Sequence, residues 1–182
     1  MIDKISEISL VISVLANLNV NHDYETQNID REQLHCLAQN IYHESSGETT
    51  MGQFAVSNVT KNRVYSIRFP NTYCDVVWEK RKSRTTGKYV PMFSWTLDGK
   101  SDKIPLTYNN KKHNTNIKSW KKSIVIAAAT MLNKFKDNTC GSTHFYAHKK
   151  VQPYWANSNQ FEKACAPNGK IGNHTFLRVV KR

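Results

Sequence analysis

Glycine and proline are scarce in this sequence: 7 Gly and 5 Pro among 182 residues, too few for a collagen-like or low-complexity chain. Acidic residues are scarce too, since 14 Asp and Glu face 26 Lys and Arg, for a formal charge of +12. Charged residues make up only 22%, which excludes a highly charged disordered chain. The 39% of hydrophobic residues suffices for an ordinary core, because a chain of this size buries roughly 70% of the surface its unfolded form exposes. Long apolar runs are missing. The longest, Ile8 to Leu18, is broken by Ser9, Ser13 and Asn17 and is too short to span a bilayer. It follows Asp3, Lys4 and Glu7, not the positive start of a secretory signal. It reads as a terminal helix, joined by a polar linker to a single domain, with 1–28 as helix and linker and 29–182 as the domain.

Several motifs are absent as well. Cys36, Cys74, Cys140 and Cys165 include no C-x-x-C pair, against a zinc ribbon or a thioredoxin-like site. Cys140 with Cys165 could form a disulfide, but spacing leaves the redox state open. There is no G-x-S-x-G, Walker loop or Rossmann fingerprint. His43-Glu44 would begin H-E-x-x-H, but Gly47 stands where the second His is needed. His144 and His148 lack a third zinc ligand, so no metal or organic cofactor is expected. Cys36 could pair with His43 on one helix, yet beside Leu37 it reads as a core residue.

Periodicity supplies the elements. Asp30 is placed to cap a helix, with Gln33 as its capping-box partner, and Leu34, Leu37, Ala38 and Ile41 recur at helical spacing until Ser45-Ser46-Gly47. A second helix is expected from about Thr50 to Val64, burying Met51, Phe54, Ala55 and Val59, before Phe69-Pro70-Asn71 interrupts. Residues 79–118 show no sustained period and suggest long loops with a short hairpin. Ser119 to Phe135 carries Trp120, Ile124, Ala127, Ala128, Met131 and Phe135 on one face. Thr143 to Tyr146 and His174 to Val180 favour strands. The fold class is therefore α+β, mainly helical, with a small late β-sheet.

The most informative residue is Glu44. Positions 34, 37, 41 and 44 share one helical stripe, so this carboxylate lies in line with Leu34, Leu37 and Ile41. Burial disfavours its charged form, and so does the negative end of the helix dipole. A carboxylic acid still protonated near neutral pH suits general-acid cleavage of a glycosidic bond. The plainer alternative is a Glu that caps a loop or pairs with a Lys. Glu48 is available as a second carboxylate, or as a bonding partner for loop amides around Ser45 to Gly47.

Charge is uneven. Residues 1–60 hold 2 basic and 8 acidic side chains, while residues 61–182 hold 24 and 6. Twelve Lys or Arg lie between Glu79 and Lys122, interleaved with Tyr89, Phe93, Trp95, Tyr108 and Trp120. Such a surface attracts polyanions, including anionic cell-envelope polymers. A basic nucleic-acid-binding module is the competing class, although nothing points to specific nucleic-acid readout. A solvated surface that serves solubility explains the charge equally well.

The run Leu34-His35-Cys36-Leu37-Ala38-Gln39-Asn40-Ile41-Tyr42-His43-Glu44-Ser45-Ser46-Gly47-Glu48, with Gly52-Gln53-Phe54-Ala55-Val56 and Asn62-Arg63-Val64 after it, resembles the SleB/CwlJ type of cell wall hydrolase. Phe69 to Val77, Phe93-Ser94-Trp95, His144 to His148 with Trp155, and Ile171 to Phe176 are similar to later blocks of that family, in order. The resemblance implies a lysozyme-like, lytic-transglycosylase-like catalytic domain over 29–182 that cleaves peptidoglycan glycan strands, more as a transglycosylase than as a muramidase. It implies Glu44 as catalytic acid, with Glu48 in support. Trp95, Tyr146 and Trp155 become candidate sugar-stacking faces, and Ser94, His144, Asn173 and His174 candidate polar contacts. Family members often carry Ala-Arg where Ser45-Ser46 stands, and a Cys near Met92, so the pairing of Cys74 stays open. Peptidoglycan is the expected partner, and a monomer the expected state. Without a clear signal peptide, a phage endolysin made in the host cytoplasm and acting on the cell wall is the expected setting.

Overall fold

The computed structural model describes residues 29–83, 86–104, 111–163 and 167–180; the expected N-terminal helix and linker, and Cys165, lie outside them. Helix α1 (Arg31–Ser45) begins where Asp30 accepts hydrogen bonds from the Glu32 and Gln33 amides. The capping box is left half-made, because Gln33 Oε1 instead accepts the Cys74 amide at 3.0 Å and so caps α3 (Tyr73–Trp78). Helix α2 runs over Thr50–Val64 with the bounds its sequence suggests. A hairpin of β1 (Lys80–Lys82) and β2 (Tyr89–Pro91) follows. Helix α4 spans Lys111–Met131, and the remainder forms the antiparallel sheet β3 (His144–Ala147), β6 (His174–Val179), β4 (Phe161–Lys163), with β5 (Lys170–Ile171) paired to β6.

Leu34, Leu37 and Ile41 of α1 pack with Trp120, Ile124, Ala127 and Ala128 of α4, all essentially inaccessible to solvent. On the other side of α2, Ala55, Val56 and Val59 meet Phe176 of β6 and Phe145 of β3. Helix α2 is therefore enclosed on several sides and has no single apolar stripe. Its polar residues bond laterally: Thr60 Oγ1 accepts from Asn40 Nδ2 at 3.0 Å, Ser57 Oγ donates to Thr130 Oγ1 at 2.8 Å, and Asn62 Nδ2 donates to the Ser142 carbonyl at 3.0 Å. Buried polar groups with partners cost little, so this polar helix can sit in the middle.

Three expectations need correcting. Met51 is 49% exposed, because Gly52, Gln53, Ala55 and Val56 form the inward side of the first turns. Helix α4 starts eight residues before Ser119 and ends before Phe135; its early turns, exposed at Asn114 and Thr115, carry no apolar stripe to reveal them. Phe135 still contributes, stacked on Phe54 at 3.9 Å. Cys36 is neither a lone core thiol nor a nucleophile, since it forms a disulfide with Cys74 that ties α1 to α3. Cys140 is also disulfide-bonded.

The Cys36–Cys74 link spans 38 residues, a loop whose closure constrains the unfolded chain by up to ~4 kcal/mol. Cys74→Ser is expected to lower the unfolding free energy by roughly 2–4 kcal/mol, read from the urea midpoint; an unchanged midpoint would show that α1–α3 packing suffices without the bridge.

Candidate active site

Glu44 is the penultimate residue of α1, and the turn behind it is fixed by buried polar bonds. Ser45 Oγ donates to the Ile41 carbonyl at 2.8 Å, and Gln53 Nε2 donates to the carbonyls of Ser45 (3.0 Å) and Ser46 (3.3 Å). These bonds satisfy acceptors that a helix end leaves over. The Glu44 side chain is only partly accessible, and its pKa is pushed up to about 7. Burial is the dominant cause, opposed by the Arg63 charge and by a hydrogen bond from the Ser94 backbone amide. At neutral pH this carboxyl divides between acid and carboxylate, as a group that must give and then take a proton requires.

Arg63, in the last turn of α2, acts electrostatically on Glu44 and is a neighbour that the motifs did not single out. It is 3% exposed, donates from Nε to the Thr143 carbonyl at 2.8 Å, and lies over the rings of Phe93 (4.6 Å) and Phe69 (5.3 Å). Burial lowers its pKa to about 10, opposed by the nearby charges of Glu79 and Glu44, so it stays cationic. Its Nη1 and the Glu79 Oε2 are buried without hydrogen-bond partners among the described residues. Val56, Val59, Thr60 and Arg63 share one helical stripe, so the reasoning that singles out Glu44 also reaches this arginine.

Glu48 does a different job. Its carboxylate accepts from the Asn173 amide (3.1 Å) and from Asn173 Nδ2 (2.8 Å), and lies 3.8 Å from His174 Nδ1. Burial works against ionisation here, but the Asn173 bonds and the His174 and Lys149 charges outweigh it, so the pKa falls below the usual range. The partner amide lies not among residues 45–47 but 125 positions downstream. Glu48 thus clamps the α1–α2 turn to the β5–β6 turn. Two glycines make room: a Cβ at Gly52 would stand 3.1 Å from the Glu48 Cβ, and one at Gly172, where φ is +60°, only 2.3 Å from Oε2. Gly172→Ala is expected to cost about 2–3 kcal/mol from backbone strain and the broken clamp. Gly141→Ala, at φ +77° with open space around it, should cost only the strain; equal melting temperatures for the two variants would count against the clamp.

The remaining candidates, Trp95 apart, divide into three groups. Ser94 reaches Glu44 through its backbone, while Asn173 and His174 reach Glu48. His144, Tyr146 and Trp155 gather together: the Trp155 ring lies 5.6 Å from His144 and 6.1 Å from Tyr146. His144 is driven down to about 3, first by burial and then by the charges of Arg63, Arg81 and Arg68, so it is neutral. Arg63 acts electrostatically on both Glu44 and His144 and thereby links the Glu44 group with the His144 group. Trp95 is no stacking face for sugar. It is 7% exposed, stacked on His43 at 4.3 Å, edge-on to Trp78, and its indole donates to Asn40 Oδ1 at 3.0 Å. Its ring is consumed in the wall behind Glu44. Among the described residues, no group of three or more His, Cys, Asp or Glu is arranged to hold a metal ion, and no helix is long and apolar enough to cross a membrane.

The sequence pattern of the Cell Wall Hydrolase family matches residues 47–177, beginning three residues after Glu44. A spore cortex-lytic enzyme of Bacillus cereus is 41% identical over 63 residues, which cover 35% of this chain and 22% of that protein; the match spans about a fifth of the relative's length. Among solved structures, the catalytic domain of the germination-specific lytic transglycosylase SleB from Bacillus anthracis superposes with a TM-score of 0.55 and 26% identity, covering 83% of this chain and 98% of that one. The catalytic domain of the Bacillus cereus SleB protein gives 0.55 and 27%, covering 83% and 93%. With pattern and fold in agreement, the chain belongs to the SleB-type family of cell wall hydrolases.

Proposed function

We propose that the protein cleaves peptidoglycan glycan strands between N-acetylmuramic acid and N-acetylglucosamine as a lytic transglycosylase, with Glu44 as the single acid and base. What supports this reading is a carboxyl group sheltered at a helix end between the Ser94 backbone and the Arg63 charge, where burial pushes its pKa up to about 7. As the acid, Glu44 gives its proton to the bridging oxygen while the bond from that oxygen to the muramoyl C1 breaks. As the carboxylate, it takes the proton of the muramoyl 6-hydroxyl, whose oxygen closes on C1. An anhydro sugar forms, no water is consumed, and the acid is restored.

Hydrolysis would more often call on a second carboxylate to activate water. Glu48 is poorly suited, because both its oxygens accept from Asn173. The structural neighbour named as a lytic transglycosylase supports the same choice. Mass spectrometry of muropeptides released from purified wall is expected to show anhydro ends; reducing ends would make the enzyme a muramidase. We extend the reading to use: the exposed strand Lys80–Lys82 and the overall charge of +12 would hold the enzyme on an anionic wall, as suits an endolysin. Added protein should therefore clear a suspension of isolated walls, less effectively as salt rises.

A further inference from the structure

The four-stranded sheet turns Phe145 and Phe176 towards α2, so the opposed pair Tyr146 and Thr175 faces the other way. On that outer face lies a cavity of about 280 Å³. Its wall carries Lys163, Lys170, His148, Gln152, Asn157 and Asn168 and, among the described residues, not one carboxylate. The acids nearby are committed elsewhere: Glu162 pairs with Arg178 at 2.6 Å, and Glu48 is held by Asn173. The cavity is therefore cationic and polar, and suited to an anion.

Its carboxamides say which kind of anion. Gln152 Nε2 donates to Asn157 Oδ1 at 3.1 Å, which fixes both groups and leaves Gln152 Oε1 as an acceptor and Asn157 Nδ2 as a donor. That pairing matches the N–H and C=O of a peptide bond. A phosphate would meet the acceptor with like charge. His148 is oriented by Thr175, whose Oγ1 lies 3.2 Å from Nδ1. The cavity is also joined to the catalytic end of the molecule, because the His148 amide donates to the carbonyl of Asn173, the residue that clamps Glu48.

We propose that this cavity receives the carboxylate-bearing peptide stem carried by the muramoyl residue, with Lys163 and Lys170 on the carboxylate and the Gln152–Asn157 pair on a peptide bond. The proposal rests on the glycan-cleaving reading above. It makes the stem, and not the sugar alone, a determinant of which strands are cut. A volume of about 280 Å³ suits one or two residues of such a stem, since whole drug-sized ligands need about 300–1,000 Å³.

The test compares stem-bearing glycan with strands stripped of their stems by an amidase, using wild type, the double variant Lys163→Ala/Lys170→Ala, and Lys134→Ala/Lys136→Ala, two exposed lysines, as a control for charge. The cavity variant is expected to raise KM on stem-bearing strands on the order of tenfold, with kcat and activity on stripped strands unchanged; the control should change neither. Equal KM for wild type and cavity variant on both substrates overturns the proposal and leaves glycan cleavage standing. If wild type cleaves neither substrate, the function fails, and the cavity is judged by titration with N-acetylmuramyl tripeptide. Binding lost in the cavity variant supports the proposal. Absent binding, or displacement by inorganic phosphate at equal concentration, overturns it.

Discussion

Glu44→Gln is expected to abolish glycan cleavage and, at pH 8, to make the protein more stable. The activity loss follows from removing the one group that gives and takes the proton, on the order of 10²–10⁴-fold for such catalysis. The stability gain follows from linkage. A folded pKa of about 7 against an ordinary 4.5 means that the stability associated with protonated Glu44 is fully present below pH 4.5 and is lost as pH rises through 7. The difference is about 3 kcal/mol at pH 8. Glutamine has no charge to bury, and its carbonyl oxygen can accept the Ser94 amide, so the variant escapes that loss. At roughly 2–4 °C per kcal/mol for a chain of this length, its melting temperature should exceed wild type by about 6–12 °C at pH 8 and by almost nothing at pH 4. An active variant would end the assignment, and a pH-independent difference in melting temperature would end the burial argument. Wild-type activity should likewise decline above pH 7, where the acid form is depleted.

Arg63→Met is expected to give the second-largest effect, with a signature that mere unfolding would not produce. The side chain fills most of the same space but loses the bond to the Thr143 carbonyl and the charge that acts on Glu79 and Glu44, although Glu79 keeps Arg81 at 2.6 Å. Losing a buried hydrogen bond from a charged group costs about 1.5–3 kcal/mol, so the melting temperature should fall by roughly 5–10 °C. Because the Arg63 charge lowers the Glu44 pKa, its removal should move the alkaline limb of the pH–activity profile upward. Arg63→Lys keeps the charge and should leave the limb near its wild-type position while recovering part of the stability. If the limb stays in place in Arg63→Met, Arg63 only packs.

Much of the helical frame was readable. Asp30 and the 34–37–41–44 stripe located α1, and Thr50 to Val64 marked α2. The same stripe puts Glu44 at a sheltered helix end. Legibility failed where the signal was not periodic. The exposed early turns of α4 carry no apolar face, and Met51 sits on a helix that is buried on several sides, so its facing could not be inferred from a single stripe. Trp95 looked like a sugar platform because aromatic side chains serve cores and binding sites alike; only the His43 and Trp78 rings against it show which.

By itself the sequence determined the local facts: where helices begin and end, which residues share a face, and that a carboxylate lies in line with leucines. These depend on neighbours within a turn or two, and the chain writes them directly. The tertiary structure alone decided that Glu48 grips Asn173 across 125 positions, that Cys36 bonds Cys74, and that Arg63 stands behind Glu44. Such pairings arise from how separate elements pack, and a burial that raises a pKa is a property of everything around the group, not of the residues beside it in the chain.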